Sequence, residues 1–359
     1  MSFFHRTVFL SVRPVNTSLI GRSLVAMAMI LIPTGIFANE HKDDSVKNKV
    51  DTTYFSGLSN LLSVYVYGYS RFSKLEFVNS DNKAPVDYSP NANFNLGLGF
   101  SYRWMGLSAA FNFKFVNHDD NLYGHSESFN VGAEITTRKT LWTLELQSFQ
   151  GFYWQNVDDY IKDWNTDDSV PVRPDISSYS FNVNGIYVMN HNRFSFKAAY
   201  SNSEWQHKTA GSWLFGGYLS AYGVSGDSSL IPRTLAASYP LFDSILNIGA
   251  FTLGGAAGYT RTWVLKDHFF FNATLFLGIS FQASEATGIS DKVLFQEASV
   301  APKTHFRMAL GYNSDKSYFG LSLITDSFLT KHKNSSQLNF NYGLIRLYYG
   351  RRFSIASKK

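Results

Sequence analysis

Four charged side chains in two neighbouring stretches have the types and spacing to do chemistry: Arg103, Lys114, Glu134 and Glu145. All four fall on the polar side of segments in which every second residue is apolar. With turns at Met105-Gly106 and Lys139-Thr140, Arg103 faces Ser108 and Glu134 faces Glu145. Two adjacent carboxylates raise each other's cost of ionising, so one would keep a proton near neutrality and serve acid/base work or cation binding. The plainer reading is a salt-bridge network with Arg103 and Lys114 that stiffens or plugs a narrow interior. It ranks first, because structural ion pairs perturb carboxylates as well.

Other constellations carry less. His118-Asp119-Asp120 with His125 offers metal ligands or protease-like Asp/His machinery. A metal wants three or four convergent ligands, and this run has the composition of a solvated loop. Ser280 and His305 could neighbour each other on adjacent strands as the start of a lipase triad, but no motif supplies the third group. The Gly-x-Gly runs sit inside strand patterns and open no helix, so they are strand glycines and not phosphate loops. No catalytic residue, no metal ligand and no cofactor is therefore expected.

The elements that would hold these residues are strands. Residues 94–104 read FNLGLGFSYRW, with Phe94, Leu96, Leu98, Phe100, Tyr102 and Trp104 on one face. The alternation returns in LSAAFNFKF, SESFNVGAEIT, LWTLELQ, SYSFNVNGIYV and FFFNATLFLGISFQ. Such segments have one apolar and one polar face. Aromatic residues reach 17% while charged residues are 16%, against about 25% charged in an ordinary soluble domain. Cysteine is absent, and no segment of the mature chain resembles a membrane helix. A surface rich in apolar residues without apolar segments points to a transmembrane antiparallel β-barrel, whose strands alternate between lipid and lumen.

A secreted β-sandwich is the alternative, but more than ten strands without a domain boundary exceed one sandwich of about 100 residues. About thirteen segments are recognisable. Single-chain barrels have even strand numbers, so twelve strands are expected and fourteen come next. Aromatics at strand ends, such as Trp142, Trp154, Trp263 and Tyr348-Tyr349, suit membrane interfaces. Long connections are expected near 155–175, 226–245 and 284–303. In the last segment, QLNFNYGLIRLYYGRRF, lipid-facing Ile345, Leu347 and Tyr349 put Arg346 and Arg352 in the lumen. That spares roughly 2–4 kcal/mol per arginine at mid-bilayer.

Arg6, Arg13 and Arg22 precede the apolar run LVAMAMILIPTGIFA, the order of a secretory signal peptide cleaved after Ala38. The expected organisation is a signal peptide over 1–38, a polar periplasmic lead-in over 39–60 and one barrel domain over 61–359. Removing three arginines takes the formal charge from +5 to 5 − 3 = +2, which gives nucleic acid nothing to bind.

Tyr88-Ser89-Pro90-Asn91 before the 97–104 hairpin, Lys208-Thr209-Ala210-Gly211-Ser212, and Asp227-Ser228-Ser229-Leu230-Ile231-Pro232 occur in an order that resembles an outer-membrane family of Bacteroidota. That family is catalogued only as a domain of unknown function (number 4421). The resemblance spans most of the mature chain. It implies a barrel and the outer membrane, and no activity. The expected role is a non-enzymatic narrow pore, solute or lipid conduit, or envelope structural protein; the alternative is an outer-membrane lipid or peptide hydrolase. Expected partners are outer-membrane lipid and lipopolysaccharide, the barrel-assembly machinery through the last strand, and a small solute.

Overall fold

The structure is a computed structural model. It describes the backbone of residues 5–11, and residues 50–79, 84–91, 94–103, 105–112, 119–165, 169–240, 242–288, 292–331 and 337–355. Lys114 and His118 lie outside the described residues. In chain order the strands are β1 (His5–Ser11), β2 (Phe55–Gly57), β3 (Leu62–Val78), β4 (Val86–Ser89), β5 (Phe94–Tyr102), β6 (Met105–Asn112), β7 (Glu127–Thr136) and β8 (Thr140–Trp154). They continue with β9 (Val172–Val188), β10 (Glu204–Gln206), β11 (Ala210–Ser225), β12 (Asn247–Leu265), β13 (Phe269–Thr287), β14 (Val293–Asn313), β15 (Ser317–Lys331) and β16 (Gln337–Phe353). Two short helices are α1 (Asp120–Tyr123) and α2 (Phe196–Tyr200).

One sheet closes on itself. β16 pairs with β3 along its whole 17-residue length, from Gln337↔Val78 to Phe353↔Leu62. The antiparallel ring runs β3, β4, β8, β9, β11, β12, β13, β14, β15, β16 and returns to β3: ten strands. Closing a ring of strands on itself is how a sheet satisfies its backbone donors and acceptors where no water reaches them. The circumference is not uniform. β4 bridges β3 to β8 at the end carrying the long loops. Towards the opposite, short-turn end, β5, β6 and β7 occupy that gap. There β1 lies antiparallel to β7 and touches β6 in parallel at Arg6↔Met105.

Two expected registers are corrected. Tyr102 pairs with Met105, so the first hairpin turns at 103–104 and not at Met105-Gly106. Arg103 takes a left-handed φ of 54° there, as tight two-residue hairpins require. In the second hairpin Thr136 pairs with Leu141. The Thr137 hydroxyl accepts from the Lys139 and Thr140 amides and fixes the turn earlier than the expected Lys139-Thr140 position. A third correction concerns 284–303, where strand continues on both sides of a short connection at 288–292. The ladder outlasts the apolar alternation there because the outer face turns polar, with Gln296 donating to Glu285.

The outer face carries the lipid-compatible band. On β13, Leu275, Leu277, Ile279 and Phe281 point outward, with Ile279 68% and Phe281 78% exposed. From Phe271 to Phe281 the strand covers about 33 Å at ~3.3 Å per residue, which a tilt of ~40° makes a band of about 25 Å. At the short-turn end an aromatic girdle rims it: Trp263 stacks on Phe271, Tyr312 on Phe319, and Trp213 meets Tyr259 edge-on. Trp142 and Tyr349 join this outer face. Trp154 and Tyr348 do not; both are buried inside, Trp154 under the loops and Tyr348 because its strand position alternates inward.

Candidate functional site

The inner face of β14 presents Lys303, His305 and Arg307 at alternate positions, all buried. They build a linked polar chain across the lumen. Arg307 Nη1 lies 3.2 Å from Glu134 on β7, and its Nε donates to His305 Nε2 at 3.0 Å. His305 sits opposite Asp326 in the β14–β15 register, with Nδ1 2.9 Å from the Asp326 carboxylate. The other Asp326 oxygen is 3.5 Å from Lys303 Nζ. Lys303 donates to Asn184 at 2.8 Å and lies between the Tyr218 and Phe328 rings. Because Arg307 donates to Nε2, the imidazole proton belongs on Nδ1, facing Asp326.

Each described residue singled out from the sequence has a definite place. Glu134 and Glu145 both face the lumen, but Glu134 pairs with Thr143 and Gly132 with Glu145, so the carboxylates are diagonal and not opposed. The turn held by Thr137 sets this offset. Glu134 is engaged by Arg307. Arg103 does not face inward; it lies exposed in its turn, against the Tyr102 ring. The expected four-residue network is thus replaced, among the described residues, by one in which Arg307 does what was expected of Arg103. Lys303, Arg307 and Asp326 were missed. Their signal was legible: PKTHFR places three basic residues at alternate positions of a strand whose other face is Pro302, Thr304 and Phe306.

The hydrolytic candidates do not assemble. The Ser280 hydroxyl donates to the Ala301 carbonyl at 3.0 Å, while the ring nitrogens of His305 are taken by Asp326 and Arg307. His125 meets Asp120 at 3.1 Å on an exposed loop. Among the described residues no cluster could hold a metal ion.

Both mouths are filled. At the short-turn end, residues 190–209 leave the wall and fold back inside, before Ala210 starts β11 against β12. Ser195 caps α2 by accepting from the Ala198 amide and donates to Glu204, which Arg138 also grips. β10 pairs with β2, burying Phe55 beneath the Arg138 guanidinium. Wall residues hold the segment by its backbone: Arg346 donates to Tyr200 O at 2.8 Å, Arg352 to Asn202 O, and Asn313 to Glu204 O at 3.0 Å. The Tyr200 hydroxyl reaches Asn272 at 2.8 Å. At the loop end an apolar cap that includes Phe77, Tyr88, Trp154, Tyr239 and Phe242 closes the ring. Burial, and then the bonded Tyr239 hydroxyl, push the Tyr160 phenol well above its ordinary range, so it remains a donor to Ala84 O at 2.7 Å.

A family model described as a domain of unknown function (DUF4421) matches residues 49–353. No curated protein matches the sequence. Among solved structures, the outer membrane protease OmpT from Escherichia coli is similar at 10% identity and a TM-score of 0.35, over 83% of this chain and 98% of that one. The translocator domain of autotransporter NalP from Neisseria meningitidis is similar at 10% identity and 0.33, over 93% and 95%. The P. putida toluene transporter TodX follows at 6% identity and 0.28, over 83% and 91%. Likeness at these scores brings nothing of those proteins' activities to this chain.

Proposed function

We propose that this chain, which belongs to the DUF4421 family, is a non-enzymatic outer-membrane barrel: a narrow conduit held shut by a segment of its own chain. One observation carries the reading. β9 and β11 are already paired where the wall is left, with Met189 N donating to Trp213 O at 3.1 Å. A two-residue turn would suffice to join them. Residues 190–212 are therefore not needed for connection; Ala210–Ser212 extend β11 along β12, and residues 190–209 fill the mouth. The hydrolase alternative would need a nucleophile at His305, where Arg307 stands instead.

In this reading the short turns face the periplasm and the long loops the exterior, the usual arrangement of such barrels. Lipid covers the apolar band, and β16, ending on outward Phe353, is the strand offered to the assembly machinery. Residues 1–38 are a signal peptide in the same reading. Its removal takes β1 away, and with it the parallel contact at Arg6↔Met105. β6 and β7 then meet, giving twelve antiparallel strands: β3, β5 to β9 and β11 to β16. The N-terminal residue of protein purified from membranes reads this out. Asn39 is expected, and an intact Met1 overturns it.

Single-channel recording in a planar bilayer tests the shut conduit. Folded wild-type protein should give a flat trace at moderate voltage. Discrete steps without any treatment would sink the reading.

A further inference from the structure

A cavity of about 120 Å³ remains in the lumen above the inserted segment. One wall is aromatic and apolar: Tyr65, Tyr67 and Tyr69 follow one another up β3 with ring centroids 5.9 and 6.0 Å apart, near Ile324 and Leu344. The other wall is charged, and its charges do not balance. Three guanidiniums, Arg71, Arg307 and Arg346, meet two carboxylates, Glu134 and Glu145. Glu134 is taken by Arg307. Arg71 and Arg346 are left with Glu145.

The two remaining arginines are neighbours. Leu344 pairs with Arg71 and Arg346 with Tyr69, so Arg71 and Arg346 are diagonal on adjacent strands of the same face. Like charges so placed repel. Arg71 Nε and Arg346 Nε are both buried without a partner among the described residues. Among the described residues the Arg71 guanidinium has the Tyr69 ring 5.9 Å away against its face. Buried donors of this kind call for a partner, and buried charge for a counter-charge.

We propose that this cavity binds a small organic monoanion, a monocarboxylate with a short apolar body. The carboxylate bridges Arg71 and Arg346, whose planar forks suit it. The body rests on the tyrosine ladder and on Ile324 and Leu344. One negative charge completes the wall; a dianion would meet Glu145, and a cation would meet two arginines. Water fills volume but supplies no counter-charge. The inference rests on the shut-conduit reading, because the seclusion of the cavity depends on the inserted segment.

Calorimetric titration of the full-length folded barrel with sodium butyrate, sodium chloride and sodium sulfate decides it. Saturable 1:1 binding of butyrate is expected, with chloride and sulfate weaker. Arg71→Gln should weaken it by about tenfold or more, and Glu145→Gln should tighten it. No saturation with butyrate overturns the proposal, as does chloride or sulfate binding equally well. If Arg71→Gln does not fold, Glu145→Gln still decides, since unchanged affinity there overturns it too. The two readings fail separately. Conductance steps with butyrate binding intact would remove the closure and keep the site; a flat trace without binding would do the reverse.

Discussion

Asp326→Asn should destabilise the barrel by about 3–5 kcal/mol, the cost of leaving one partner of a buried ion pair unpaired. Asp326 is 2% exposed and sits between His305 Nδ1 at 2.9 Å and Lys303 Nζ at 3.5 Å. Without its charge, the close contacts left to the Lys303 ammonium among the described residues are Asn184 and two aromatic rings. The damage lies in the unpaired cation and not in lost packing, since Asn nearly preserves the shape. Adding Lys303→Met should therefore recover most of the loss, because removing both members of a buried pair is often neutral or better. Urea unfolding in lipid vesicles, followed by tryptophan fluorescence, measures both. A single variant within about 0.5 kcal/mol of wild type, the scale of exposed surface changes, would mean that water reaches the pair.

Replacing residues 190–212 with Asn-Gly should turn a silent barrel into a conducting one. Met189 and Trp213 are in register for such a turn, and Asn-Gly supplies the left-handed backbone it needs. The excision takes out α2, β10 and the Tyr200 hydroxyl that reaches Asn272. It also frees the Arg346 and Arg352 side chains from the carbonyls they hold. The excision shortens β11 by Ala210–Ser212, which pair with Thr262, Arg261 and Thr260 of β12, and leaves the rest of the ladder in place, so the heat-dependent gel shift of a folded barrel should persist as the control. Discrete steps in a planar bilayer are the expected outcome. A folded but silent variant would mean that the apolar cap at the loop end closes the lumen by itself.

Much of the wall was legible because the side-chain period of a strand is local. Leu275, Leu277, Ile279 and Phe281 alternate with Thr274, Ser280 and Gln282 in the sequence, and the structure puts the first set outside and the second inside. Arg346 and Arg352 face inward as the same rule required. The candidate site was only partly legible. Glu134 and Glu145 were placed on the correct face, but their pairing depends on where the turn lies, and the Thr137 hydroxyl decides that. A shift of the turn moves every pair in the hairpin at once, which is why Arg103 ended in a turn and not in the lumen.

By itself, then, the sequence determined that this protein is a chain of two-faced strands, which face of most strands points outward, and that charge must go inside. Those properties follow from residues two apart. The tertiary structure alone decided who meets whom across the lumen. Glu134 and Arg307 lie 173 positions apart, and Lys303 and Asn184 lie 119 apart. The same holds for the folding of 190–209 into the mouth, whose anchors Asn272, Arg346 and Arg352 come from later strands. No local period encodes such contacts, because they exist only once the sheet has closed and brought distant strands to face each other.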